Sequence, residues 1–274
     1  MKTKKGLLLI FPGLIILFVC MALPLLKVLL PTIFTGDYFL SHYIEFLKDA
    51  YYQKILLRTL KIAIFSTLIC MILGIPTGYF ISRCHKKWRG ILLAIALFPM
   101  LTNSVIRSFA WINILGTNGV INKLLLHIGL IDQPLKILYT EYSITIGSVY
   151  LFLPLMIVTV TSCMENIESD LMEAALSLGV NRFKAFMQVI FPMSLPGVIV
   201  GGILVFTGTL TAYTTPQLLG GNSNLVLSTL IYQRSMSMRD WTSASVIAVI
   251  MIITTLIVMK LFHIFSGYLD KRGE

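Results

Sequence analysis

Long apolar runs separated by short polar segments extend along most of the chain. Each run is close to the length that an α-helix needs to cross the hydrocarbon core of a bilayer, about 20 residues. Runs of this kind lie at residues 7–26, 61–83, 90–111, 142–164, 196–215 and 241–259. The pattern therefore predicts an all-α polytopic membrane protein with six transmembrane helices.

The composition also favours a membrane protein over a water-soluble one. Hydrophobic residues make up 57% and charged residues 12% of the 274 positions, which is too apolar for a soluble domain of this size. The net charge of +10 could indicate a nucleic-acid partner, but the basic residues fall in short loops between the apolar runs. We therefore expect contact with membrane lipid and no binding of nucleic acid.

The basic residues predict an orientation. Four Lys or Arg residues crowd the short loop Arg83–Arg89, and short loops of this kind remain in the cytoplasm. Both termini are then cytoplasmic. The segments that face the outside are residues 31–56, 123–141 and 216–240, the first with an amphipathic piece at the interface.

One polar segment, residues 164–197, interrupts the apolar pattern between the fourth and fifth spans, on the cytoplasmic side. Asp170 can cap a helix there, and Glu173 can reach back to it as in a capping box. The apolar residues at helical spacing that would form one stripe are Leu171, Ala174, Ala175 and Leu178.

A second short helix is predicted in the same segment. Gly179 can adopt the left-handed conformation that ends a helix, and Asn181 is a good cap for a helix running to about Ile190. Pro192 and Pro196 oppose a continuous helix, so we expect the chain to bend before it re-enters the membrane.

These residues carry a resemblance. Glu173-Ala174-Ala175, followed by Gly179, Ile190 and Leu195-Pro196, resembles the EAA loop of type I permease subunits of binding-protein-dependent ABC importers. In that family the loop is a cytoplasmic coupling helix that fits into a cleft of the ATPase. The resemblance implies ATPase-coupling roles for Asp170, Glu173, Ala174, Ala175, Gly179, Arg182, Leu195 and Pro196.

The resemblance extends over residues 56–265. It implies an N-terminal helix and outer loop at 1–55, a permease core domain at 56–265 and a cytoplasmic tail at 266–274. A second stretch, Ile106–Trp111 with Asn118–Asn122, resembles the spermidine/putrescine branch. The resemblance therefore implies polyamine import, with ferric iron, opine or phosphonate as alternative solutes.

Family membership would bring partners. We expect a second permease chain, forming a heterodimer, a dimer of cytoplasmic ABC ATPases, and an extracytoplasmic solute-binding protein, all at the bacterial inner membrane. ATP and Mg would be held by the ATPase, and no cofactor by this chain. The Asp170–Ile190 loop would then move as a rigid lever.

Polar residues within the spans are candidates for the translocation path. Thr207, Thr211 and Thr214 would share one face of the fifth span, although interhelical packing would also explain them. Thr102 and Asn103 could face the same path. Arg107 could either contribute to the path or extend to the lipid headgroups beside Trp111.

Several chemistries have no residues to support them. The predicted spans contain no acidic residue, which argues against a proton-coupled carrier, although a secondary transporter or channel is the main alternative class. The sequence lacks a GxxxxGK[ST] phosphate loop and any catalytic motif, so we expect a non-catalytic subunit. The four cysteines have no paired spacing, and Cys84-His85 stands without further ligands, so we expect free thiols and no metal site.

Overall fold

The computed structural model describes residues 41–168 and 170–270, together with scattered residues between 13 and 32. From residue 41 onward these form helices joined by short connections, which confirms the all-α prediction. The predicted first span, residues 7–26, lies largely outside the described residues. The helices are α1 (Ser41–Lys48), α2 (Ala50–Ser82), α3 (Lys86–Leu101), α4 (Ser104–Leu115), α5 (Val120–His127), α6 (Glu141–Glu165), α7 (Asp170–Ser177), α8 (Arg182–Ala185), α9 (Phe191–Thr211), α10 (Thr214–Gly220), α11 (Leu227–Tyr232) and α12 (Trp241–Asp270).

Four of the described helices are long and apolar enough to cross a membrane. They are α2, α6, the continuous helix Arg182–Thr211 and α12 through Ile264. A bent pair, α3 with the segment Ser104–His127, would supply a fifth span if it is counted as one. The described part of the chain therefore supports a multi-pass protein but not the count of six.

The second span is longer than predicted. α2 begins at Ala50, so residues 50–56 are helical rather than part of an outer loop. The first turns of α2 carry charged residues. The span was predicted from the uncharged run, which begins only after these residues, so the helix starts earlier than the prediction.

The third predicted span is broken, and the run 90–111 does not form one helix. α3 and the segment Ser104–His127 meet at an angle of 90°, with Thr102 and Asn103 between them. The Asn103 side chain accepts hydrogen bonds from the backbone amides of Val105 (2.9 Å) and Ile106 (3.3 Å). Because this cap satisfies amides at the start of a new helix, the chain can turn inside an apolar run.

The prediction that Pro192 and Pro196 oppose a continuous helix is wrong, since one helix runs from Arg182 to Thr211. A π-helical turn, Phe186–Ile190, precedes the prolines, and the Phe191 amide donates to the Phe186 carbonyl. A proline cannot donate to the carbonyl one turn earlier, and a local change to wider helical spacing accommodates that loss within a continuous helix.

The fifth span ends earlier than predicted, at Thr211. Ala212 has an extended backbone, with ψ at 131°, and α10 begins at Thr214. The predicted outer loop 216–240 is largely helical, because it contains the end of α10, then α11 and a second π-helical turn, Gln233–Ser237.

The chain divides into two compact units, of which the smaller comprises Met1–Lys54 and Leu230–Ile252. Within it the rings of Phe46 and Tyr52 stack with centroids 4.8 Å apart. Arg234 donates to the Tyr52 hydroxyl (2.8 Å). Asp240 caps α12 by accepting from the Ser243 amide (3.0 Å). Burial opposes the charge of Asp240, but the hydrogen bonds from Ser243 and the nearby Arg234 lower the pKa of its carboxyl.

The larger unit comprises Ile55–Thr229 and Ile253–Glu274. In it α6 packs closely against α2 and α9 through glycines. A Cβ on Gly78 would lie 2.7 Å from Val160 Cγ1, and one on Gly197 would lie 2.9 Å from the Thr159 carbonyl oxygen, so both sites require the smallest residue. The buried core beside these contacts consists of Cys70, Met156, Val160, Met164, Ile167, Ile190, Val198 and Val205.

Candidate functional site

The polar segment between α6 and α9, residues Asp170–Ile190, is here called the loop element. It folds as predicted into two short helices joined by a turn. The first, α7, carries Asp170 and Glu173 in its first turn, where negative charge interacts favourably with the helix dipole. The described part of α7 begins at Asp170, and its capping role stays a prediction.

The turn after α7 is a Schellman motif centred on Gly179, whose φ is +81°. The Gly179 amide donates to the Leu176 carbonyl (3.0 Å), and the Val180 amide donates to the Ala175 carbonyl (3.4 Å). This pair of hydrogen bonds requires a left-handed residue, which glycine provides at low cost. The prediction that Gly179 ends the helix is confirmed.

The second helix begins at the predicted cap. The Asn181 side chain accepts from the Lys184 amide (2.8 Å), and α8 starts at Arg182. It passes through the π-helical turn into α9, so the loop element is directly continuous with a membrane-length helix.

The apolar side of α7 differs from the predicted stripe. Leu171, Ala174 and Leu178 are exposed, and Leu178 is 84% exposed. Met172 instead packs against the buried core, and Ala175 is half-buried. The inward-facing positions of α7 are therefore shifted by about one residue from the predicted stripe. The sequence does not reveal how so short a helix is rotated against its neighbours.

A groove of about 480 Å³ lies between the end of α2 and the loop element. The rings of Tyr79 and Phe186 meet edge to face in it, with centroids 4.9 Å apart, and the Arg83 guanidinium lies 5.7 Å from the Tyr79 ring centroid. Phe183, at the rim, is 75% exposed. The lining residues are Tyr79, Arg83, Met172, Glu173, Leu176, Arg182, Phe183 and Phe186, so the structure brings the predicted residues Glu173 and Arg182 to one surface.

Two arginines of the basic loop 83–89 join the ends of α2, α3 and α6. Arg89 forms an ion pair with Glu165 and donates to the carbonyls of Ser82 (3.1 Å) and Cys84 (3.4 Å). Arg83 donates to the Ile167 carbonyl (3.1 Å). In the sequence these arginines indicate orientation alone, and nothing there pairs them with Glu165 or Ile167.

Leu195 and Pro196, the last predicted loop residues, lie inside α9 and outside the loop element. Leu195 borders an apolar cavity of about 720 Å³ between α2, α9 and α12. Pro196 is exposed.

The predicted path residues of the third span gather at the break between α3 and α4. Arg107 is only 8% exposed. Its guanidinium donates to the carbonyls of Pro99 (2.8 Å) and Thr102 (3.3 Å). These carbonyls are freed where α3 ends, so Arg107 stabilises the bend instead of extending to the headgroups as snorkelling would require.

The threonines of the fifth span do not share one helical face, because Thr214 belongs to α10. Thr211 is exposed and donates to the Thr207 carbonyl (2.9 Å), a hydrogen bond within its own helix. The Thr207 hydroxyl is buried without a hydrogen-bond partner among the described residues. Buried hydroxyls normally have a hydrogen-bond partner. Of the three threonines, Thr207 is therefore the strongest candidate for contact with the solute path.

At the opposite end of α6, Glu141 forms ion pairs with Arg58 (3.2 Å) and Lys61 (2.9 Å). Nearby in the chain, Asn122 is 1% exposed and exchanges hydrogen bonds with the Leu135 backbone (2.8 and 2.9 Å). Neither feature is visible in the sequence, since each depends on contacts between residues that are not neighbours in the chain. Among the described residues, no group of three or more His, Cys, Asp or Glu side chains could hold a metal ion.

Comparison with protein families gives one description for most of the chain. Residues 71–273 match the model of a binding-protein-dependent transport system inner membrane component. The spermidine/putrescine transport system permease protein PotB of Escherichia coli is 32% identical over 228 residues, which is 83% of each chain. The PotB protein of Haemophilus influenzae is 31% identical over 223 residues, or 81% of this chain and 78% of its own.

Solved structures share the fold at lower identity. A chain of a bacterial alginate ABC transporter, in complex with an alginate pentasaccharide-bound periplasmic protein, superposes with a TM-score of 0.78 at 18% identity. The match covers 99% of this chain and 96% of that one. A chain of the MetNI methionine ABC transporter gives 0.60 at 14% identity, covering 81% and 99%.

Proposed function

Because the chain belongs to the family of binding-protein-dependent transport system inner membrane components and is a permease subunit of an ABC importer, we propose that it imports a polyamine, spermidine or putrescine. The support for this solute is the 32% identity over 83% of both chains with a permease named for it. Ferric iron, opine and phosphonate remain the alternative solutes within the same architecture.

The loop element carries the proposed mechanism. It exposes Leu178 and Phe183 on a polar segment between two membrane-length helices, and exposed large apolar residues in such a place fit a protein partner. We assign this surface to a cytoplasmic ATPase subunit. Asp170, Glu173, Gly179 and Arg182 would then act at the contact, whereas Ala174 and Ala175 would allow close approach.

ATP hydrolysis takes place on that partner, with ATP and Mg bound there and none on this chain. A dimer of the ATPase, a different permease chain and an extracytoplasmic solute-binding protein complete the importer. In this arrangement both termini and the loop Arg83–Arg89 face the cytoplasm. The four basic residues of that loop favour this orientation.

Alternating access follows if nucleotide moves the loop element between two positions. The direct continuity of Arg182–Thr211 supports this, because an unbroken helix transmits displacement of its end along the span. Such a device requires that nucleotide and the loaded binding protein both bias one two-state equilibrium. Thr102, Asn103, Arg107, Thr207, Thr211 and Thr214 are the candidates for the path.

The test is uptake of labelled spermidine and putrescine by cells that lack this chain and have no redundant uptake route. Wild type should restore uptake, and Glu173→Lys should not, because it reverses the charge on the proposed ATPase contact. The matched control is Asp132→Lys, an equal charge reversal at an exposed residue between α5 and α6, which should restore uptake.

Two failures can be told apart. If wild type restores no polyamine uptake, the solute assignment is wrong. If it does and Glu173→Lys works as well as wild type, the ATPase contact has been assigned to the wrong surface.

A further inference from the structure

We propose that Arg89 and Glu165 form a strut that carries motion of the loop element to α3. The proposal rests on the proposed function, since it concerns how this permease responds to its ATPase. Glu165 is the last residue of α6, and Arg89 lies in the first turns of α3. Their ion pair therefore joins two helices that neighbour in space but are far apart in sequence.

The guanidinium of Arg89 is held on both sides. Besides Glu165, it donates to the Ser82 and Cys84 carbonyls at the end of α2. One side chain thus connects the ends of α2, α3 and α6. A rigid, planar donor fork suits this task, and a lysine could not make the same set of hydrogen bonds.

A second connection fixes the chain just before α7. The Arg83 guanidinium donates to the Ile167 carbonyl (3.1 Å), and the Ile167 side chain is buried in the core. The chain just before the loop element is therefore attached to α2 through Arg83 and to α3 through Arg89. While both connections hold, displacement of the chain at residues 165–167 moves these helix ends with it.

The strut is better suited to transmission than to stability. The side chain of Glu165 is 49% exposed, and an ion pair with so exposed a partner contributes little to folding. Its loss should therefore change how the helices move together more than whether they fold. Glu141, the first residue of the same helix, provides a matched control, because it also pairs with basic residues but lies at the end remote from the loop element.

The first test measures solute molecules imported per ATP hydrolysed by the complete importer in proteoliposomes. Glu165→Gln should lower this ratio by about threefold or more, as expected for removal of one member of a coupling network. Glu141→Gln should leave the ratio at the wild-type value. Arg89→Lys, which keeps the charge but loses the fork, should also lower it.

A second test does not depend on the solute. Spin labels on α3 and α7 report the distance between the two helices with and without ATP. The labelled protein carries Ile95→Cys and Ser177→Cys, with Cys20, Cys84 and Cys163 replaced by serine. The wild-type distance should be the same in both states, whereas with Glu165→Gln it should shift or broaden on ATP binding.

The proposal is overturned if Glu165→Gln keeps both the wild-type ratio and a fixed distance, or if Glu141→Gln changes the ratio as much. It is also overturned if ATP changes the distance between the labels on α3 and α7 in the protein that retains Arg89 and Glu165. Failure of polyamine uptake with a fixed wild-type distance would reject the solute and leave the strut in place.

Discussion

Two eight-residue helices flank α6 in the chain, α5 before it and α7 after it. Both end in the same Schellman turn, at Gly129 with φ +71° and at Gly179 with φ +81°. A Cβ added at either glycine would meet no atom within 4 Å among the described residues outside the local backbone. As local structures, the two turns are equivalent.

Their surroundings differ. The segment after Gly129 folds back on α5, because Asn122 binds the Leu135 backbone. The segment around Gly179 instead leads directly into a membrane-length helix, and Arg83 and Arg89 attach the chain just before it to other helices. The same turn therefore precedes a segment that folds back on its own helix in one place and a segment that continues into a long helix in the other.

The largest expected effect comes from replacing the glycines. Gly179→Val and Gly129→Val place a β-branched residue at positive φ, which costs about 1–2 kcal/mol at either site. Because the backbone cost is matched, protein abundance should fall similarly. Uptake per assembled importer should fall about tenfold or more only for Gly179→Val, within the range of allosteric couplings. Equal losses of uptake per importer at both sites would remove the distinction between the turns.

Asn122 and Asn181 should differ in their effects: substitution of Asn122 should reduce stability more, and substitution of Asn181 should reduce uptake more. Asn122→Ala leaves the partly buried amide and carbonyl of Leu135 without their Asn122 partner and should lower stability by about 1–3 kcal/mol. Asn181→Ala removes an exposed helix cap and should cost about 1 kcal/mol. Thermal unfolding in detergent measures the first effect, and uptake per importer should be reduced more by Asn181→Ala. A larger loss of stability at Asn181 would contradict the account.

The smallest effect concerns exposed leucines beside the two glycines. Leu178 is 84% and Leu130 68% exposed, so replacing either by serine should hardly change folding. Leu178→Ser should weaken capture of the ATPase severalfold, about 1 kcal/mol for a contact residue, and Leu130→Ser should not. Equal capture by both variants would show that Leu178 is not part of the ATPase contact.

The features that sequence predicted are those determined by neighbouring residues. Gly179 and Asn181 were placed correctly because a left-handed turn and a cap depend on a few adjacent backbone groups. The helix continues through Pro192 against the prediction, because a π-helical turn just before it accommodates the missing hydrogen bond.

Other features depended on contacts that sequence does not show. The break at Asn103 was missed although Asn103 is a good cap, because the apolar run continues past it. It is stabilised by Arg107, whose role becomes clear only when its guanidinium is seen on the carbonyls that the break releases. The ion pair of Arg89 with Glu165 could not be predicted either, because the two residues are far apart in the sequence and meet only in the fold.

The most direct measurement of the central claim is ATP-driven uptake of labelled spermidine into proteoliposomes. They would contain this chain with its partner permease and ATPase, and the binding protein would be added outside. The account predicts accumulation that requires ATP and the binding protein, retained by Gly129→Val and lost by Gly179→Val in assembled complexes. Accumulation by this chain without the ATPase, or full activity of assembled Gly179→Val complexes, would contradict it.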